Sequence, residues 1–171
     1  MQSTHPDQDD STSEGIMVRH TGDKVNVGDF ISVDGKVKEY YPGGENGGGL
    51  SITEIQAINI TILASNQVLP APQVVGLGGR MPPNKIIDND QLQDFDPVND
   101  GIDFYESLES MLIQLNQSVA VAPTNQYGEI ALVPDGGTNA GLRSSTGGLI
   151  LQQNDVNPEI ILLDDEIQET H

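Results

Sequence analysis

Six aspartates crowd one short stretch of the chain: Asp88, Asp90, Asp94, Asp96, Asp100 and Asp103. Dense carboxylates are what a hard divalent cation takes, because calcium gathers roughly six to eight oxygen ligands. The spacing is not that of an EF-hand. With Asp96 in the first ligand position, Val98 falls at the third and Ser107 at the twelfth. The run therefore reads either as a calcium site of another geometry or as a solvated acidic loop. A second constellation has different chemistry. In Lys36-Val37-Lys38-Glu39-Tyr40-Tyr41, strand alternation puts Lys36, Lys38 and Tyr40 on one face. With Tyr41 they form a small platform on which bases of a single strand could stack beside cationic side chains. The alternative is an ordinary edge strand whose lysines discourage pairing with other chains.

Other chemistries find no foothold. The histidines are His5, His20 and His171, two in terminal segments and one in a turn. No nucleophile stands with a placed base. Carboxylate pairs are so abundant that no pair singles itself out for general acid–base work. Pro42–Gly49 (PGGENGGG) is glycine-rich but lacks the Gly-Lys-Ser/Thr ending and following helix of a phosphate loop. Cysteine is absent, which excludes disulfides and thiolate ligands.

The elements that must position these residues are mostly strands. Gly15–Arg19 reads as a first short strand, and residues 20–24 as a turn. Phe30–Tyr41 alternates as a strand, with Gly35 marking a bulge or bend. Leu50–Leu63 is a long half-buried strand. Ile52, Ile58, Ile60 and Ile62 share one parity, and Glu54 and Gln56 interrupt that face. Pro70 and Pro72 make Val68–Gly79 linker-like. Asp103, three residues before Glu106, suits a capping box opening a short helix through Phe104, Leu108, Met111 and Leu112. A β-meander follows, through Ile113–Leu115, Val119–Val121 and Glu129–Val133. Gly147–Gln152 and Glu159–Leu163 read as the last strands, before an acidic end.

Composition agrees. Of 171 residues, 36% are hydrophobic but only 4% aromatic, so Ile, Val and Leu must build the core, and these favour pleated surfaces. Nineteen glycines and ten prolines imply many turns. The net charge of −19 opposes long-range attraction to nucleic acid and favours solubility. No apolar run approaches the ~18 residues of a membrane span. The polar, acidic start is unlike a signal peptide. The chain is thus expected either to leave the cell by another route, if it is exported, or to be an internal piece of a longer one.

Four stretches resemble, in order, the region ahead of the catalytic domain in large bacterial extracellular nucleases of the endonuclease/exonuclease/phosphatase class. They are TSEGIMV with VNVGDFISVDGKVKEYY, then LPAPQVVGLGGRMPP, then FDPVNDGIDFYESLESMLIQLNQSVAVAPTNQYGEIALVPDGG, and finally GGLIL with DVNPEIILLDDE. The resemblance runs from Thr12 to Glu166. It implies an all-β chain: an OB-fold-like small barrel, then a second β-rich module with one short helix. By their polar, acidic composition residues 1–13 read as a disordered tail, and 14–68 would be the OB-like module, lacking its first strands. Residues 69–100 would be a Pro/Gly and acidic linker, and 101–171 a second, incomplete module. The family's metal-dependent nuclease domain would lie beyond His171, so this chain alone is expected to be non-catalytic and extracellular. Its expected partners are nucleic acid, that nuclease domain, or a second copy across an open sheet edge. The alternative is a structural or interaction spacer, calcium-stabilised, without nucleic-acid contact.

Overall fold

The computed structural model describes residues 1–22 and 25–164. Asp23 and Lys24 of the expected turn, the acidic end from residue 165, and His171 lie outside the described residues. The chain is all-β, with eight short-to-long strands in three small sheets, one α-helical turn and one 3-10 turn among the described residues. It divides into two compact units. The first comprises Met1–Pro72 and Leu108–Leu112; the second comprises Gln73–Ser107 and the chain from Ile113 onward.

The first unit is built on a three-stranded sheet ordered β1-β3-β2: β1 (Met17–Arg19), β2 (Phe30–Tyr40) and β3 (Ile52–Ala64). β2 and β3 are antiparallel, and β1 runs parallel to β3. Asp34 pairs with Asn59 but Gly35 pairs with Ala57, so Ile58 is the extra residue of a bulge on β3. This bulge explains the broken apolar parity of the long strand. Ile60 and Ile62 pair with Val33 and Ile31 on one face. Beyond the bulge the parity of β3 flips, and Glu54 and Gln56 join Lys38 and Lys36 on the other face. Gly35 is needed opposite the bulge, since a Cβ there would lie 2.5 Å from both the Gln56 carbonyl oxygen and Ile55 Cγ2.

The amino-terminal residues differ from the disordered tail that composition suggests. The Met1 amino group donates to the Ile16 carbonyl (2.9 Å), Gln2 bridges Gly15, and the Ser3 amide donates to the Glu14 carbonyl. Asp7 and Asp9 close local turns, with Ser11 and Thr12 donating to them. Polar side chains that bury little can still order a segment by satisfying its backbone.

The second unit has two smaller sheets. β4 (Gln73–Val75) pairs in parallel with β5 (Ile113–Leu115). β6 (Val119–Ala120), β7 (Ile130–Val133) and β8 (Ile161–Leu163) form an antiparallel sheet in the order β6-β7-β8. Val75, Phe104, Val121 and Val133 are its buried apolar residues. The stretch after Pro72 is therefore not a linker: it enters a strand at once and supplies Val75, which is fully buried. The meander is also divided, since β5 leaves it to pair with β4.

α1 (Gly101–Glu106) starts before Asp103, with Asp100 as its N-cap residue and no side-chain cap bond. The capping box is not formed. Asp103 instead accepts the Asp96 amide at 2.7 Å, which ties the acidic loop to the helix. Gly147–Gln152 contributes only the isolated bridges Arg143–Leu149 and Gln152–Asp155. Arg143 donates to the carbonyls of Gly147 and Gly136, and Ser144 accepts the Gly148 amide, so side chains take bonds a strand ladder would use. No helix among the described residues is long and apolar enough to cross a membrane.

Candidate functional site

The loop from residue 88 to the start of α1 brings three of the six aspartates together. One carboxylate oxygen each from Asp88, Asp90 and Asp100 lies within 4.8 Å of the others. That is about twice an ordinary calcium–oxygen distance, so one ion can reach all three. Local turn chemistry orients two of them. Asp88 accepts the amides of Asp90, Gln91 and Leu92, and Asp90 accepts those of Gln93 and Asp94. The Leu92 amide, foremost among these bonds, holds the Asp88 carboxyl below the usual carboxylate range.

Asp100 is different. It is 1% exposed, and its Oδ1 accepts from Asn89 Nδ2 at 2.7 Å. Its Oδ2 is buried and has no hydrogen-bond partner. Burial pushes this carboxyl above its usual range. The Asn89 bond opposes that, and the charges of Asp103 and Asp90 add to it. A buried carboxylate with an unsatisfied oxygen is costly unless something positive completes it. The donor set is all oxygen, which suits a hard cation such as calcium rather than a thiolate- or imidazole-seeking metal.

The other three aspartates stand outside the cluster. Asp94 is exposed and contributes its backbone amide. Asp96 accepts from the Asn99 side chain and from the amides of Val98 and Asn99. Asp103 is buried, bonded to the Asp96 amide. Asn89, which reading the carboxylates alone passes over, is the residue that positions Asp100. Its signal in the sequence is its place between Asp88 and Asp90.

The cationic face of β2 is occupied from within. Lys36 and Lys38 are exposed, as expected of an edge strand. On the same face, Arg19 Nε donates to Glu54 Oε2 at 2.8 Å, and the Arg19 guanidinium lies 4.4 Å from the centroid of the Tyr40 ring. Glu54 is only 2% exposed and sits opposite Lys38. Arg19 holds the Glu54 carboxyl below its usual range, against the effect of burial. Tyr41 lies beyond the end of β2 and is half-buried. Tyr40 therefore already carries a cation, and that cation is paired to a carboxylate.

The family model described as "Domain of unknown function (DUF8508)" matches residues 74–171, more than half of the chain. The chain belongs to this family. The DUF8508 match begins at Val74, within one residue of where the second unit begins, and it contains Asp88, Asp90 and Asp100. No curated protein and no solved structure matches the chain.

Proposed function

We propose that this chain is a non-catalytic β-rich structural or interaction module, stabilised by calcium held at Asp88, Asp90 and Asp100. The buried, unpartnered Oδ2 of Asp100 beside two further carboxylates carries the reading. An ion there would join the acidic loop to the first turn of α1, and through Phe104 to the core of the second unit. The resemblance to the region ahead of an extracellular nuclease domain supports a spacer role outside the cell, where calcium is plentiful. The exposed edge of β2 is a surface on which such a module can meet a second copy or another chain.

The nucleic-acid reading draws less support. The net charge is −19, and the aromatic ring of the platform is covered by Arg19. If nucleic acid does bind there, Tyr40→Ala weakens the anisotropy response of a labelled single-stranded oligonucleotide. The account expects no response from either protein.

Thermal unfolding in chelator and in millimolar calcium tests the proposal. Calcium present at about a hundred times its dissociation constant stabilises by about 2.7 kcal/mol. The melting temperature of the wild-type chain is expected to rise with calcium, and that of Asp100→Asn to rise less. Identical melting of the wild type in both conditions removes calcium as a stabiliser.

A further inference from the structure

A second group of oxygens in the same unit has the same unsatisfied character and lies outside the acidic loop. Asp155, Asn157 and Glu159 stand at alternate positions in the turn before β8. Asn157 is 7% exposed and Glu159 3% exposed, and neither Asn157 Oδ1 nor Glu159 Oε2 has a hydrogen-bond partner. The three side chains converge on one point of backbone. Glu159 Oε1 accepts the Gly141 amide at 3.0 Å. A Cβ added to Gly141 would lie 2.5 Å from Asp155 Oδ2 and 3.0 Å from Asn157 Oδ1. Glycine therefore lets these oxygens close on the backbone at one point. Asn157 has a left-handed backbone (φ 56°), which asparagine adopts more readily than most residues, and its amide donates to Asp155 Oδ1. Asp155 is half-buried, which leaves the group a side open to solvent.

We infer that Asp155, Asn157 and Glu159 form a second divalent-cation site around Gly141, one that takes calcium. The inference shares with the proposed function the idea of a calcium-stabilised module, but uses none of its ligands. Two carboxylates and an amide oxygen make a hard, all-oxygen set carrying two negative charges, which suits calcium. A buried water is the competing occupant. It could donate to two of the oxygens but would leave both charges in place. Glu159 feels that deficit. Burial raises its carboxyl above the usual range, and the charge of Asp155 raises it further, against the Gly141 bond. Burial pushes the ionisation of the Tyr105 hydroxyl, also buried and unpartnered, upward, and the charge of Glu159 is near enough to add to it.

That neighbour supplies the test. The chain has no tryptophan, so tyrosine excitation of bound terbium, a calcium surrogate, reports sites next to a tyrosine. Terbium is titrated into the full chain and then displaced with calcium. Sensitised emission is expected from the wild type and from Asp100→Asn. It is expected to need at least ~10-fold more terbium in Glu159→Gln. Tyr105→Phe is expected to lose emission while still binding calcium. If Glu159→Gln does not fold, Asp155→Asn, at the half-exposed ligand, provides the same comparison. Unchanged emission in the folded ligand variant, or complete loss in Asp100→Asn alone, overturns the second site. The first of these results leaves the Asp100 site untouched, and a calcium-dependent rise in melting temperature that is equal in the wild type and Asp100→Asn, while emission follows Glu159, would sink the Asp100 reading alone.

Discussion

The two units bury carboxylates in opposite ways. In the first, Glu54 lies in the sheet against its own cation: Arg19 reaches it from the neighbouring strand and also covers Tyr40, and Gln56 donates to its other oxygen. In the second unit, Asp103 and Asp135 are met by backbone amides, from Asp96 and Leu77. Asp100 and Glu159 are each met on one oxygen only and keep a buried oxygen with no partner. In the three-stranded sheet, register sets Lys38 of β2 opposite Glu54, and Arg19 of β1 reaches the same carboxylate from two residues further along. Short strands joined by turns bring carboxylates together at loop ends, and in the calcium proposal the positive charge there comes from solution. With only seven lysines and arginines against 26 acids, few buried carboxylates can be paired within the chain.

The largest expected effect separates the units by their cores. Phe104→Ala removes a ring that is 2% exposed, packs edge-on against Tyr105 (5.2 Å between centroids) and carries the Arg80 guanidinium. It should cost the second unit about 3–5 kcal/mol. Hydrogen exchange should show this as lost protection at β7, with β2 and β3 unchanged. Equal losses in both places would mean that the two units unfold as one.

Gly35→Ala should cost about 1–3 kcal/mol, because the new methyl group meets the Gln56 carbonyl and Ile55 across the bulge. The loss should appear in exchange at β2 and β3. A neutral substitution would mean that the bulge relaxes at no cost. Arg19→Met should have a smaller effect, since Arg19 is half-exposed, and one that depends on pH. Glu54 has a depressed carboxyl pKa in the folded chain, so its pairing stabilises fully above the ordinary glutamate range, about pH 4.3. That stability is lost as pH falls through the depressed value, because the unfolded chain takes up the proton first. The gap between wild type and Arg19→Met should therefore be widest near neutrality and close in acid. A gap constant with pH would remove the ion pair as its cause.

The period-two runs and the absence of aromatic bulk made the all-β class and the single short helix legible from composition and spacing. Gly35 marked the place of the bulge. The extra residue proved to be Ile58 on the partner strand, which no reading of one strand at a time reveals. Two sequence expectations failed for local reasons. Prolines at 70 and 72 suggested a linker, yet β4 begins immediately after them. Acidic, polar residues 1–13 suggested disorder, yet their side chains cap their own turns. The aspartate cluster was visible as density, but not its membership. Asp94, Asp96 and Asp103 lie in the same acidic stretch, but Asp96 and Asp103 are turned to amides of their own and Asp94 stands exposed, which is a matter of backbone path. Asp155, Asn157 and Glu159 read as part of a turn, and only the position of Gly141 makes them a group.

The central claim is that the unpartnered oxygen of Asp100 belongs to a calcium site. Equilibrium dialysis, counting calcium bound per chain for wild type and Asp100→Asn at the same free calcium, tests it most directly. The account predicts one ion fewer in the variant, with the Glu159 site still filled. An equal count in both proteins would contradict it.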